Sequence, residues 1–186
     1  DYAFSNCPNM LKVKMNTGLS EIGKNAFDAT GLIGKLTIPS GVKKIGEYAF
    51  AGTEITSVTL PETLEEIDAY AFTALPLTKI EIPDSVKTLG GAVFYECRSM
   101  KSVKLPANIE YIPTSCFEKC GIESLVIPNS VKRIAPSAFC NCYSLTDVTF
   151  GENIESIEES AFQFTNISYL KFPDSLKTIG ENAFYD

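Results

Sequence analysis

The stretch Ile127-Pro128-Asn129-Ser130-Val131-Lys132-Arg133-Ile134-Ala135-Pro136-Ser137-Ala138-Phe139 decides the fold, because altered copies of it run the length of the chain. Its clearest mark is the final phenylalanine. Equivalent residues stand at Phe4, Phe27, Phe50, Phe72, Phe94, Phe117, Phe139, Phe162 and Phe184, always 22 or 23 residues apart. A fixed period in this range marks a solenoid, whose units bury their apolar faces only against their neighbours.

Ahead of each phenylalanine the same parts recur. An alternating apolar pair ends in proline, as in Leu36-Thr37-Ile38-Pro39, Ile80-Glu81-Ile82-Pro83 and Leu125-Val126-Ile127-Pro128. Asn16 and Gly151 replace the proline in two units. Period-two alternation predicts a short strand, and proline, which cannot donate to a ladder, ends it. An apolar residue recurs three positions before each strand, at Ile33 and Ile55 among others. After the turn come two apolar residues three apart, Val131 and Ile134 in the quoted copy. Glycine often follows, at Gly23, Gly46, Gly90 and Gly180, and is expected to make a tight corner. Small Ala beside large Phe predicts a column of rings inside the stack.

A longer period is overlaid on the first. The residues Lys43, Glu65, Lys87, Glu110, Lys132, Glu155 and Lys177 occupy one position of successive coils and alternate in charge. Adjacent strands lie about 4.8 Å apart, so each Lys is expected between two Glu, and each Glu between two Lys. A slip of one coil would then bring like charges together. The cysteines follow the repeat as well. Cys97, Cys120 and Cys142 are consecutive rungs of one column that holds Thr30, Thr53 and Leu75 elsewhere. A straight column does not converge tetrahedrally on a metal, so no metal site is expected. The thiols are expected to be free, with Cys116 in the core and Cys140 exposed.

Composition sets outer limits. The chain has 186 residues, 45% of them hydrophobic, which is enough for one continuous core. Its net charge of −7 argues against nucleic acid or an anionic membrane as the main partner. No apolar run approaches the length of a membrane-spanning helix. Histidine is absent, which removes the usual general base and the commonest metal ligand. There is no phosphate-binding glycine loop and no nucleophile elbow. The neighbouring carboxylates Glu65-Glu66 and Glu158-Glu159 are expected at solvated corners. No catalytic residue and no cofactor are expected.

The pattern C-x-x-L-x-x-V-x-L-P-x-x-L-x-x-I-x-x-x-A-F resembles the BspA-like leucine-rich repeat. Cys142-Tyr143-Ser144-Leu145-Thr146-Asp147-Val148-Thr149-Phe150 opens one such unit, and Cys97 to Phe117 is another with Cys116 in place of Ala. The resemblance covers the whole chain. It implies a right-handed leucine-rich-repeat β-solenoid of about eight coils, with a parallel sheet on one face and few or no long helices. It also implies a bacterial cell-surface or secreted protein that binds host or matrix proteins. Residues 1–186 read as one solenoid domain, a segment of a longer array.

The outward residues of each strand are where a protein ligand is expected. Lys12, Lys14, Lys35, Lys79, Glu81, Lys104, Tyr169 and Lys171 are the candidates, six lysines in a chain that is acidic overall. An acidic segment of a partner fits such a face. The same face read as solubilising surface leaves a different role, that of a stalk presenting another domain. End-to-end self-association is a further contact that exposed coil ends would allow.

Overall fold

The computed structural model describes residues 1–186, and the chain winds into a parallel β-solenoid of about seven full turns without a helix. Two kinds of strand alternate along each coil. The first is a corner strand of two residues: β1 (Glu21–Ile22), β3 (Lys44–Ile45), β5 (Glu66–Ile67), β7 (Thr88–Leu89), β9 (Tyr111–Ile112), β11 (Arg133–Ile134), β13 (Ser156–Ile157) and β14 (Thr178–Ile179). The second is the longer strand read from the sequence: β2 (Ile33–Thr37), β4 (Glu54–Thr59), β6 (Lys79–Glu81), β8 (Ser102–Lys104), β10 (Ser124–Val126) and β12 (Asp147–Thr149). The sheet expected on one face is divided into three parallel pairs, β2–β4, β6–β8 and β10–β12, and a second, narrow ladder is added at the corner. It forms because the apolar residue after the proline turn faces inward and leaves its backbone free to pair. Ile22, Ile45, Ile67 and Leu89 stack in register in one ladder, and Ile112, Ile134, Ile157 and Ile179 in another. The ladder breaks between β7 and β9. Val13–Met15 and Leu170–Phe172, in the terminal coils, carry no strand.

The phenylalanine column is present. Consecutive rings from Phe4 to Phe184 lie 5.1–5.7 Å apart and within 15° of parallel. The six from Phe50 to Phe162 are fully buried. Backbone bonds hold the column at this spacing. The Phe27 N–H donates to the Ala49 carbonyl at 2.8 Å, Phe94 to Cys116 at 2.9 Å and Phe139 to Ala161 at 2.8 Å. A small residue before each phenylalanine lets the coils approach, which Ala, Val93 and Cys116 all satisfy.

The corners are made differently from the sequence expectation. Gly23, Gly46, Gly90 and Gly180 do not adopt left-handed backbone. Gly90 is needed for close approach, since a Cβ there would meet the Ala69 nitrogen at 2.2 Å. The left-handed positions fall instead two residues before each column phenylalanine and two after those from Phe4 to Phe162, on non-glycine residues except at Gly52 (φ 64°). Tyr70 (φ 59°) and Ala74 (φ 58°) flank Phe72, and Ser115 (φ 53°) and Lys119 (φ 59°) flank Phe117. This backbone costs roughly 1–2 kcal/mol per residue. It persists because these amides bond across coils: the Ala74 N–H donates to the Tyr95 carbonyl at 2.7 Å.

The cysteine column is a hydrogen-bonded one. The thiols of Cys97, Cys120 and Cys142 donate to the carbonyls of Phe72, Phe94 and Phe117 at 3.2, 3.1 and 3.1 Å. Thr30, Thr53 and Thr165 on the same rungs donate to Phe27, Phe50 and Phe162 at 2.9 Å. A small donor fits this rung, which explains why Cys and Thr interchange. All six cysteines are free. Cys140, expected to be exposed, is buried at 6% exposure beneath the next coil, with Asn141 Nδ2 at 3.1 Å from its sulfur. Cys7 is the half-exposed thiol.

Candidate protein-binding face

Strand alternation sends Leu36, Ile80 and Leu125 into the core and their neighbours outward. Lys12, Lys14, Lys35, Lys79, Glu81, Lys104, Tyr169 and Lys171 are all exposed on this outward face. Register sets their neighbours. Lys35 lies beside Ser57, Lys79 beside Ser102, Glu81 beside Lys104, and Val126 beside Thr149. The face is shallowly hollowed along its length. One hollow of about 450 Å³ is bordered by Lys35, Thr59, Lys79, Glu81 and Lys104. Another of about 750 Å³ is bordered by Asp147, Thr149, Tyr169, Lys171 and Phe172.

Charge pairing separates this face from the rest of the surface. The chain has sixteen Lys and Arg residues. Eleven hold a carboxylate within ion-pair distance. The five that hold none are Lys12, Lys14, Lys35, Lys104 and Lys171, and every one is on the outward sheet face. Lys79 is the exception on that face, with its ammonium 3.5 Å from Glu81 on the same strand. Sequence alone grouped Lys79 with the others. The structure divides them.

The opposite pattern holds along the alternating column. Glu65 lies 3.1 Å from Lys87 and 3.5 Å from Lys43, and the Lys87 hydrogen bond in particular holds its carboxyl below the usual range. Lys132 pairs with Glu110 at 3.5 Å and Lys177 with Glu155 at 2.7 Å. The expectation that every residue is flanked on both sides holds only at Glu65. Pairs form across 22-residue steps. They do not form across the 23-residue steps from Lys87 to Glu110 and from Lys132 to Glu155. The first gap coincides with the break between β7 and β9, and at the second Lys132 is committed to Glu110. The carboxylates considered for chemistry do not converge. Glu66 holds Lys44 at 3.2 Å, and Glu158 holds Arg133 at 3.2 Å.

One member of the recurring apolar position departs from the others. Ile33 is 48% exposed, and Leu32 is buried in its stead at 3%. The signal was the extra apolar residue in Gly31-Leu32-Ile33-Gly34, which the repeat alone could not assign.

Comparison with known proteins places this geometry. A leucine-rich repeat protein from Bacteroides ovatus has a similar structure, with a TM-score of 0.76 at 27% identity over 90% of this chain and 50% of that one. One from Eubacterium ventriosum gives a TM-score of 0.77 at 25% identity, over 84% of this chain and 43% of that one. A leucine rich cell surface protein from Faecalibacterium prausnitzii shares the fold, with a TM-score of 0.54 at 23% identity over 98% of this chain and 66% of that one. The chain thus spans about half the length of the first two solved relatives. No curated protein matches it. The model for the BspA type leucine rich repeat region matches residues 1–79 and 65–186 in six copies. With the stacked coils and the phenylalanine column, this shows that the chain belongs to the BspA-type leucine-rich repeat family.

Proposed function

We propose that the chain is a non-catalytic protein-binding module of a surface-displayed or secreted bacterial protein, and that it holds its ligand on the outward sheet face. The observation that carries this reading is the confinement of all five unpaired cations to that face. Elsewhere the lysines are neutralised by neighbouring coils, so long-range attraction is left to one side of the molecule. The rigid stack holds these charges at fixed spacing, which lowers the ordering cost of binding. The ligand is an extracellular host or matrix protein, a class drawn from the family and from its surface-protein fold relatives.

The test is a pull-down with the chain on extracellular host proteins and on the surface proteins of the source cell. The comparison protein carries Lys35→Glu, Lys104→Glu and Lys171→Glu. Capture by the parent and its loss in the variant is the expected result. Capture retained by the variant moves the site to another side of the coil. No capture by either returns the chain to the role of a stalk.

A further inference from the structure

We propose that the first two coils carry the primary contact of this face, a site for an acidic peptide segment with a large apolar side chain at its centre. The proposal rests on the sheet-face reading above and narrows it to one place. Three of the five unpaired cations, Lys12, Lys14 and Lys35, lie in these two neighbouring coils, whereas Lys104 and Lys171 stand alone in theirs. An apolar pair is set among them. Leu11 is 53% exposed and Ile33 48%. The two are neighbours across the coils, since the Ile33 N–H donates to the Leu11 carbonyl at 3.3 Å.

Their exposure follows from the backbone. Ile33, Lys35 and Thr37 are exposed and Leu36 is buried. Gly34 has φ of +76°, and a Cβ there would meet open space, so the chain leaves regular alternation at this residue. The pairing of β2 with β4 is irregular at this point, stepping from Gly34–Ile55 to Lys35–Ser57. Such irregularities re-aim side chains and are frequent beside functional sites. The row that Leu11 occupies holds Gly34 in the second coil and Thr56, Thr78, Lys101, Glu123, Thr146 and Ser168 in later coils, none of them buried. Leucine is thus the one large apolar side chain in that row. A hollow of about 490 Å³ lies over Leu11, Ile33 and Gly34, edged by Lys12 and Lys35.

These parts define the ligand. An apolar centre rimmed by charge is the arrangement of an interface anchor. The unpaired ammonium groups call for carboxylates on either side of the anchor. Glu54, in register with Ile33, borders the patch on the third coil, so the acids of the ligand sit over the first two coils.

The experiment is a selection of twelve-residue peptides from a random display library on the intact chain, followed by affinity measurement of the enriched peptides. Each peptide is measured against the parent, against Leu11→Ser with Ile33→Ser, and against Lys104→Glu with Lys171→Glu. Both double variants replace exposed residues, and matching melting curves certify their folds. The expected result is enrichment of peptides with Asp or Glu around Leu, Ile or Phe. They should bind the Leu11/Ile33 variant at least tenfold more weakly than the parent, and more weakly than they bind the Lys104/Lys171 variant. Acidic peptides that bind the Leu11/Ile33 variant as tightly as the parent overturn the proposal, because they report general attraction to a polyanion. Peptides lost only on the Lys104/Lys171 variant overturn it too, yet leave the sheet-face reading standing. Failure to enrich any peptide overturns the proposal, and the pull-down then decides the broader reading alone.

Discussion

Removing one ring from the phenylalanine column should cost far more in the middle than at the end. Phe94 is fully buried, with Phe72 at 5.7 Å on one side and Phe117 at 5.3 Å on the other. Phe94→Ala leaves a cavity closed by stacked coils above and below, and such substitutions cost about 3–5 kcal/mol. Two lost stacking contacts, each worth about 0.5–1.5 kcal/mol beyond area burial, place the loss near the top of that range. Phe4 is 41% exposed and stacks on Phe27 alone, at 5.2 Å. Phe4→Ala opens no enclosed cavity and forfeits part of a side-chain burial worth about 1.5–3 kcal/mol in full, so about 1 kcal/mol is expected. The assay is equilibrium denaturation followed by circular dichroism. Because coils touch only their neighbours, Phe94→Ala should also split the transition into two steps, as the halves lose their coupling. Losses for Phe4→Ala and Phe94→Ala within about 0.5 kcal/mol of each other would refute the continuous core inferred from the column, since a closed cavity exceeds an open one by more than that.

Three further outcomes follow from the same geometry. Ala74→Gly should stabilise the fold by about 0.5–1 kcal/mol, because relief of the left-handed backbone exceeds the added entropy of the unfolded chain; a lower denaturation midpoint would count against this. Under native conditions a thiol reagent should modify Cys7 alone, with Cys140 and the column protected until unfolding; burial pushes the Cys142 thiol up to about 12 and raises that of Cys140. Mass mapping of the modified sites checks this. Lysine partners hold Glu65, Glu96 and Glu155 below the ordinary carboxylate range, so their folded-state affinity for protons is weaker than in the unfolded chain. Their contribution is therefore present above the unfolded value and lost as pH falls through the folded one. The melting temperature should drop on acidification below about pH 5, and Lys87→Met should make that drop shallower.

Much of this molecule was legible in sequence because a solenoid repeats one local problem. The spacing of phenylalanines located the core column, and period-two alternation in segments such as Ile80-Glu81-Ile82 located the long strands. The same alternation listed which side chains face outward, since a strand sends its neighbours to opposite sides whatever lies beside it. The family followed from these spacings and needed no distance. Other features depended on how far one backbone stands from the next. Gly90 reads as a corner in sequence, and only the approach of Ala69 shows that it clears space between coils. Ile33 fits the apolar template, yet Leu32 holds the interior slot, and two adjacent apolar residues cannot be ranked without the coil they pack on. The six sheet-face lysines look alike in sequence. Lys79 reaches Glu81 along its own strand, at 3.5 Å. Whether the other ammonium groups find a carboxylate depends on a few ångströms of side-chain reach between coils, and that distance, which leaves Lys12, Lys14, Lys35, Lys104 and Lys171 unpaired, exists only in the tertiary structure.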